Sequence, residues 1–381
     1  MAHLPTYFTD FLANIRLTSN QMDDLKRGHK TLRERLLNDD ALARIIVNTF
    51  LQGSYRRATA TRPKDGKRSD VDVIVVTKLS QTDYPDPGDA MDLFIPFLDK
   101  HYTGKYEPQG RSFGIQLSYV ALDLVITSAP SESEEGIFHA DSVAADDTLE
   151  EAVDWRLVKS WVALEKRANP SAQWKMREAA KEPEWKASPL YIPDREVQVW
   201  KPTHPLEQIR WTHDKNSRCS GHYVNVVKAI KWQRRAKHPT PKHPKGYPLE
   251  HIIGQNCPDS ITSVAEGVTC TLEAIVNSYA IDALLKRTPV LPDHGVPTHN
   301  VLHRLSGDDF AAFYAQVKDV AKLARRAYDE EDVCESARLW RDFFGDKFPP
   351  PPDNSGSKGG PTPGGFTARE NKSSPMGGRF G

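Results

Sequence analysis

Two hydrophobic rhythms alternate along the first part of this chain, and one of them takes over from about Thr203. Residues 5–44 read as helix: Met22, Leu25, Leu32 and Leu36 recur at helical spacing between charges, and Thr18 or Ser19 supplies an N-cap. Ile45 to Phe50 and Val71 to Thr77 are rich in β-branched residues, which predicts strands. Gly53 to Ser69, between them, is polar, with Gly, Pro and five basic residues from Arg57 onward (Arg57, Arg62, Lys64, Lys67, Arg68), and reads as a loop. Pro87 to Lys100 predicts a helix, Phe113 to Val120 and Ala121 to Thr127 neighbouring strands, and Leu149 to Ala168 another helix.

Beyond Thr203 the helical rhythm recurs at Leu206 to His213, Tyr223 to Lys237, Leu249 to Ile253, Ile261 to Leu285 and Asp308 to Tyr328. Asp308 and Asp309, following Ser306, mark a helix start where the dipole favours acids. Mixed α/β followed by mostly α predicts an α+β protein, a sheet lobe packed on a helical lobe with a ligand cleft between them. The expected divisions are 1–202, 203–345 and a tail, 346–381. Pro349 to Pro352 opens a stretch of Gly, Ser, Pro and Lys that holds too few apolar residues to bury a core, so disorder is expected there.

Bulk properties narrow the class. A chain of 381 residues accommodates two or three lobes. Basic and acidic residues balance at 51 each, which excludes a whole-surface basic field for grasping nucleic acid. No apolar run approaches the ~18 residues that span a bilayer. Met1 to Pro5 lacks the charged start and apolar core of a signal peptide, and four sparse cysteines suit reduced thiols, so a cytoplasmic location is expected. Cys219, His222, His238, His243 and Cys257 are of zinc-ligand type without a paired spacing. The basic stretch Lys228 to Lys245 reads as a solvated helix end and loop.

The chemistry lies in three acids. Asp70 and Asp72 are two apart in a strand pattern and therefore point the same way. Asp123 interrupts a second apolar strand, Ala121 to Ile126, where a charge needs partners. Carboxylates held this close call for a cation, and their hard oxygens suit magnesium. Three such acids on adjacent strands match a two-metal site for phosphoryl or nucleotidyl transfer, with ions ~3.5–4 Å apart. Gly53-Ser54, just before the polar segment, offers backbone N–H groups and a hydroxyl to a phosphate.

Gly53-Ser54, then Asp70-Val71-Asp72, then Asp123 resembles the signature of the DNA polymerase beta-type nucleotidyltransferase superfamily. Within it, residues 1–345 resemble the bacterial CD-NTases, and among those the CdnD-type clade. Pro189 to Arg195 with Thr203-His204-Pro205 is similar to the family's segment between lobes, and Asn300 to Ser306 also looks like this group. Val226 to Trp232 resembles the helix that lends a lysine to the triphosphate, Lys231 matching better than Lys228 one turn earlier. Gly246 to Glu250 resembles a Tyr-x-Leu-Glu element that would bring Tyr247 near a base or phosphate.

The resemblance implies a polymerase-beta-like fold with Asp70, Asp72 and Asp123 on two magnesium ions. Gly53, Ser54, Lys228, Lys231 and Tyr247 would serve as nucleotide contacts. It implies synthesis of a cyclic di- or trinucleotide from NTPs (ATP, with GTP as a second substrate), acting through a downstream effector in CBASS anti-phage defence. No nucleic-acid activator is expected, since the zinc insertion of the animal relative cGAS is not recognisable. The tail ending in Gly381 resembles that of a ubiquitin-like substrate. It implies conjugation through Gly381 by an E1/E2-like partner, and release by that partner's protease. The alternative using the same triad is a template-independent RNA or protein nucleotidyltransferase.

Overall fold

A computed structural model describes residues 4–64, 66–128, 189–238 and 243–352. The chain opens with helices α1 (Pro5–Ile15) and α2 (Ser19–Leu37), then a 3-10 turn at Leu42–Arg44. The helix expected over 5–44 is therefore interrupted, and a reciprocal capping box explains the first break. Thr18 Oγ1 accepts from Gln21 N–H, and Gln21 Oε1 accepts from Thr18 N–H, so α2 begins anew.

The sheet contains β1 (Ile46–Gln52), β2 (Asp70–Thr77), β3 (Tyr106–Pro108), β4 (Phe113–Gln116), β5 (Ala121–Ser128), β6 (Leu190–Asp194) and β7 (Val199–Thr203). Its order is β1-β2-β5-β4-β3, with β6 joining the end of β5 and β7 pairing β6. β2 and β5 run parallel, and the other pairs are antiparallel. Gly53–Arg56 forms a single helical turn, α3, within the segment expected to be loop. The helix expected over 87–100 is divided into α4 (Pro87–Asp92) and α5 (Ile95–Tyr102), because Pro96 has no N–H to continue an earlier turn.

Alternation along β2 and β5 sorts their side chains. Val71, Val73 and Val75, with Leu122, Leu124 and Ile126, pack in the main sheet core with α2, α4 and α5. Ile74, Val76 and Val125 lie on the other face, in a smaller cluster with Val47, Phe50 and Leu190. Asp70, Asp72 and Asp123 belong to this second face by the same alternation.

The helical part comprises α6 (Pro205–Arg218), α7 (Tyr223–Lys237), α8 (Gly246–Asn256), α9 (Val264–Ser278), α10 (Ala280–Leu284), α11 (Gly307–Asp329) and α12 (Val333–Phe344). α11 is capped by Ser306, with Asp308 and Asp309 in its first turn, and α12 by Asp332. These helices surround one core, and α1 packs into it although the sequence division groups residues 1–202 with the sheet. Phe11 meets Phe344 with ring centroids 4.1 Å apart, and Phe8 meets Trp340 edge-on at 5.1 Å. The helix expected over 149–168 and nearly all of the tail lie outside the described residues. Among the described residues, no helix is long and apolar enough to cross a membrane.

Phe11 joins the two ends of the described chain, so Phe11→Ala is expected to destabilise the protein by ~3–5 kcal/mol, as large-to-small core changes do. Urea unfolding checks this, and a loss below ~1 kcal/mol would show that α1 does not depend on this contact.

Candidate active site

The acids are brought together by strand register. Asp72 lies directly opposite Asp123 across the parallel β2–β5 pair, and Gln52 lies opposite Asp72 across β1–β2. In-register neighbours project from the same face, so Asp72 and Asp123 stand side by side, with Asp70 two residues along β2.

Gly53 makes this possible at the end of β1. Its φ of +80° lies in the left-handed region, so the chain turns abruptly out of the strand. A Cβ placed there would sit 1.6 Å from Asp72 Oδ2, a distance no side chain tolerates. The missing side chain leaves a cradle in which Asp72 lies against the Gly53 backbone. α3 then delivers Ser54, whose carbonyl accepts the N–H groups of Thr59 at 2.8 Å and Ala60 at 3.0 Å.

Crowding shows in the acidities. Burial, with Asp72 and Asp123 adding their charge, raises the Asp70 carboxyl to about 7. Asp70 keeps an exposed edge, so its neighbours' charge matters there as well as lost water. Burial and the charge of Asp72 raise Asp123 to about 6. Burial also raises Asp72, although the Arg57 guanidinium opposes that shift. No three Asp, Glu, His or Cys donors among the described residues close into a chelate as they stand. The donor set itself, three like-charged hard oxygen groups short of counter-charge, has the chemistry that a divalent magnesium ion satisfies.

A cavity of about 210 Å³ opens beside the acids, lined by Ser54, Lys64, Lys67, Asp70, Lys231 and Arg235 among others. The structure thus brings Ser54, Asp70 and Lys231 to one space. Lys64, Lys67 and Arg235 join them as a basic wall, although the sequence reading assigned them to a polar loop and a solvated helix end. Lys228 does not line it. That residue is 3 % exposed, and burial, with Arg16 and Lys231 nearby, holds its ammonium pKa well below the ordinary value.

Glu250 on α8 connects the two lobes. It is 4 % exposed, and its Oε2 accepts from Arg57 Nε at 3.2 Å and Thr59 Oγ1 at 2.8 Å, while Oε1 accepts from Lys231 Nζ at 2.7 Å. Lys231 Nζ also donates to the Thr59 carbonyl at 3.0 Å. Burial alone would raise Glu250, but Lys231 and Arg57 reverse this and hold it at about 2. Tyr247 lies one turn before Glu250, with the Arg57 guanidinium over its ring at 5.0 Å and its hydroxyl 3.4 Å from His251 Nδ1. Burial and Asp293 raise its phenol pKa.

Further contacts escaped the sequence reading. Gln52 Nε2 donates to Gln208 Oε1 at 3.3 Å, and Gln208 Nε2 to Asp293 Oδ2 at 3.0 Å, which ties the end of β1 to α6 and the loop before α11. His294 is stacked between Trp211 and His251, with centroids 3.8 and 4.1 Å away. The Gln and His positions carry no periodic or spacing signal, because their partners lie far away in sequence.

Known proteins are similar to this chain in sequence and in fold. Residues 2–129 match the Second Messenger Oligonucleotide or Dinucleotide Synthetase domain. A probable cyclic AMP-AMP-GMP nucleotide synthase of Salmonella paratyphi B is 49 % identical over 379 residues, covering 98 % of each chain. The cyclic AMP-AMP-GMP synthase of Enterobacter hormaechei is 48 % identical over 385 residues, again covering 98 % of each. The fold is similar to that of the Vibrio cholerae cyclic AMP-GMP synthase DncV, with a TM-score of 0.63 at 12 % identity, covering 90 % of this chain and 96 % of that one. The chain belongs to the CD-NTase family, and it is a nucleotidyltransferase of the cyclic-oligonucleotide-synthase kind.

Proposed function

We propose that this enzyme makes cyclic AMP-AMP-GMP from ATP and GTP, with release of pyrophosphate. The observation that carries the reading is the acid face of β2 and β5, cradled by Gly53 and opening beside a basic cavity. The product assignment is supported by near-full-length identity to relatives named for that product.

In this reading Asp70 and Asp72 hold two magnesium ions, and Asp123 completes the set on the side of the attacking hydroxyl. Magnesium held by these acids would neutralise triphosphate charge and lower the pKa of the hydroxyl. Asp123 orients that hydroxyl and accepts its proton. Gly53 and Ser54 donate to phosphate oxygens, and Lys231 adds positive charge from the helical side. Tyr247 and Lys228 are further nucleotide-contact candidates, which in Lys228 would require the surrounding packing to open. Attack on an α-phosphate expels pyrophosphate, and a final attack within the chain of nucleotides closes the ring. Holding the reactants and neutralising charge supply much of the rate gain in such chemistry. The product serves as an anti-phage second messenger acting on a downstream effector, in a cytoplasmic setting. Gly381 is the point at which an E1/E2-like partner conjugates the enzyme to targets and a protease releases it.

The Asp70→Asn/Asp72→Asn protein is expected to fold normally and to lose synthesis by at least ~100-fold. Mass spectrometry of reactions containing all four NTPs and magnesium reads both activity and product. A wild-type product without guanine would overturn the product assignment. Labelled RNA or protein instead of a small cyclic product would favour a template-independent transferase.

Magnesium should stabilise the protein more as pH rises. Asp70 and Asp123 titrate at about 7 and about 6, above an unfolded aspartate near 4, so the metal-free fold binds their protons more tightly than the unfolded chain. That stabilisation is present below pH ~4 and lost as pH rises through about 6 to 7, where metal replaces protons. Thermal melts with magnesium or with chelator should therefore diverge more at about pH 8 than at about pH 5. An equal effect at both would count against these ligands.

Deleting Gly381 is expected to leave nucleotide synthesis unchanged and to abolish covalent attachment by an E1/E2-like enzyme. Intact-mass analysis after co-expression checks both, and attachment of the shortened chain would remove the terminal glycine from the reading.

A further inference from the structure

We infer that Glu250 is a positioning residue for nucleotide transfer: one buried carboxylate aims Lys231 at the phosphate cavity and anchors Arg57 and Thr59, in the segment that follows the Ser54 turn. The inference rests on the assignment of the acids and the cavity made above, and concerns a residue with no place among the groups that touch substrate.

The bonds of Lys231 carry the first half. An ammonium has three donors. Glu250 Oε1 takes one at 2.7 Å and the Thr59 carbonyl takes another at 3.0 Å, leaving a third for the cavity that Lys231 lines. A lysine side chain has several rotatable bonds, and two fixed acceptors remove most of that freedom before any ligand arrives. Arg57 carries the second half. It is buried, bonded to Glu250 Oε2 at 3.2 Å, with its guanidinium over the Tyr247 ring. Thr59 closes the arrangement by donating to the same Glu250 oxygen at 2.8 Å.

Sequence order adds weight. Arg57 and Thr59 follow directly on α3, so Glu250 grips the short segment that presents Ser54. Lys231 belongs to α7 and Glu250 to α8 in the helical lobe. A single carboxylate therefore sets the spacing between the Ser54 side and the Lys231 side of the cavity. Its charge also matters: a neutral amide would leave Arg57 and Lys231 facing each other in a buried place, where like charges repel strongly.

Three variants test this by steady-state kinetics of pyrophosphate release, with thermal melts alongside. Glu250→Asp keeps the charge but withdraws it by one methylene, and Glu250→Gln keeps the shape but removes the charge. Both are expected to lower kcat by ~10–100-fold while KM for ATP changes less than ~3-fold, because aim is lost more than affinity. The charge-balanced pair Arg57→Gln/Glu250→Gln is expected to regain wild-type melting without regaining kcat. Should Glu250→Gln fail to fold, Glu250→Asp and the double variant still decide the question. Wild-type kcat in folded Glu250→Asp, or recovery of kcat together with stability in the double variant, would reduce Glu250 to a structural ion-pair member and overturn the inference. The Asp70→Asn/Asp72→Asn protein serves as control: synthesis by it would instead remove the acid-site reading.

Discussion

Mutual repulsion among three carboxylates on one sheet face is the constraint around which the sheet lobe is arranged. Burial raises the pKa of Asp70, Asp72 and Asp123, and the charge of neighbouring carboxylates adds to this at Asp70 and Asp123. They are held in place from behind. Val71, Val73, Leu122 and Leu124 are fully buried on the opposite face, each stabilising its position by ~1.5–3 kcal/mol. A one-residue slip of either strand would exchange these faces, driving acids into the core and valines into the site. The apolar half of the pattern thus fixes the register that keeps the acidic half together. Gly53 works on the same problem from the side, since only a residue without Cβ lets the chain pass Asp72.

Besides Leu206 of α6, which packs on the apolar cluster of Val47, Phe50 and Ile74, the two lobes meet through polar groups. The helical core and the sheet core are separate clusters. Between them stand the Glu250 group, the Gln52–Gln208–Asp293 chain, and Asp194 on β6. Asp194 is buried and paired with Arg111 at 2.8 Å and Lys201 at 3.1 Å, with Arg304 of the helical part 4.0 Å away. Burial would raise Asp194, but Arg111 and Lys201 hold it below the usual carboxylate range. Buried ion pairs add little net adhesion, because desolvation offsets much of the attraction. They are, however, strict about geometry. A seam built from them defines how the lobes sit while leaving a cleft that apolar packing would have closed.

The strands that carry the acids were legible because a period of two is short and Asp-Val-Asp leaves little room for another reading. Gly53 was legible as part of a motif, but its clash with Asp72 was not, since that contact depends on pairing between β1 and β2. β6 and β7 went unrecognised as strands because Pro193 and Pro202 interrupt their patterns. α12 fell within the division expected to be helical, 203–345, but was not singled out as an element of its own. Lys228 and Lys231 lie three residues apart on α7, about 60° around the helix, and the sequence could not say that packing would bury one and leave the other at the cavity. Glu250 was visible in a motif, yet its partners Arg57 and Thr59 lie 193 and 191 residues away, a distance over which spacing carries no information.

The site has two halves of opposite sign, and neither suits a simple ligand. The acids repel a bare triphosphate, while Lys64, Lys67, Lys231 and Arg235 attract one. A divalent cation relieves the acids but is repelled by the basic wall. A polyphosphate carrying divalent cations satisfies both halves at once, so on the proposed reading each component strengthens binding of the other by the same factor. Glu250 belongs to this division of charge. It accepts a bond from each of Arg57 and Lys231, so part of their positive charge is already met inside the protein. On the proposed reading, the remaining charge of the acids and of the basic wall is met by the two parts of one ligand, a polyphosphate that carries divalent cations.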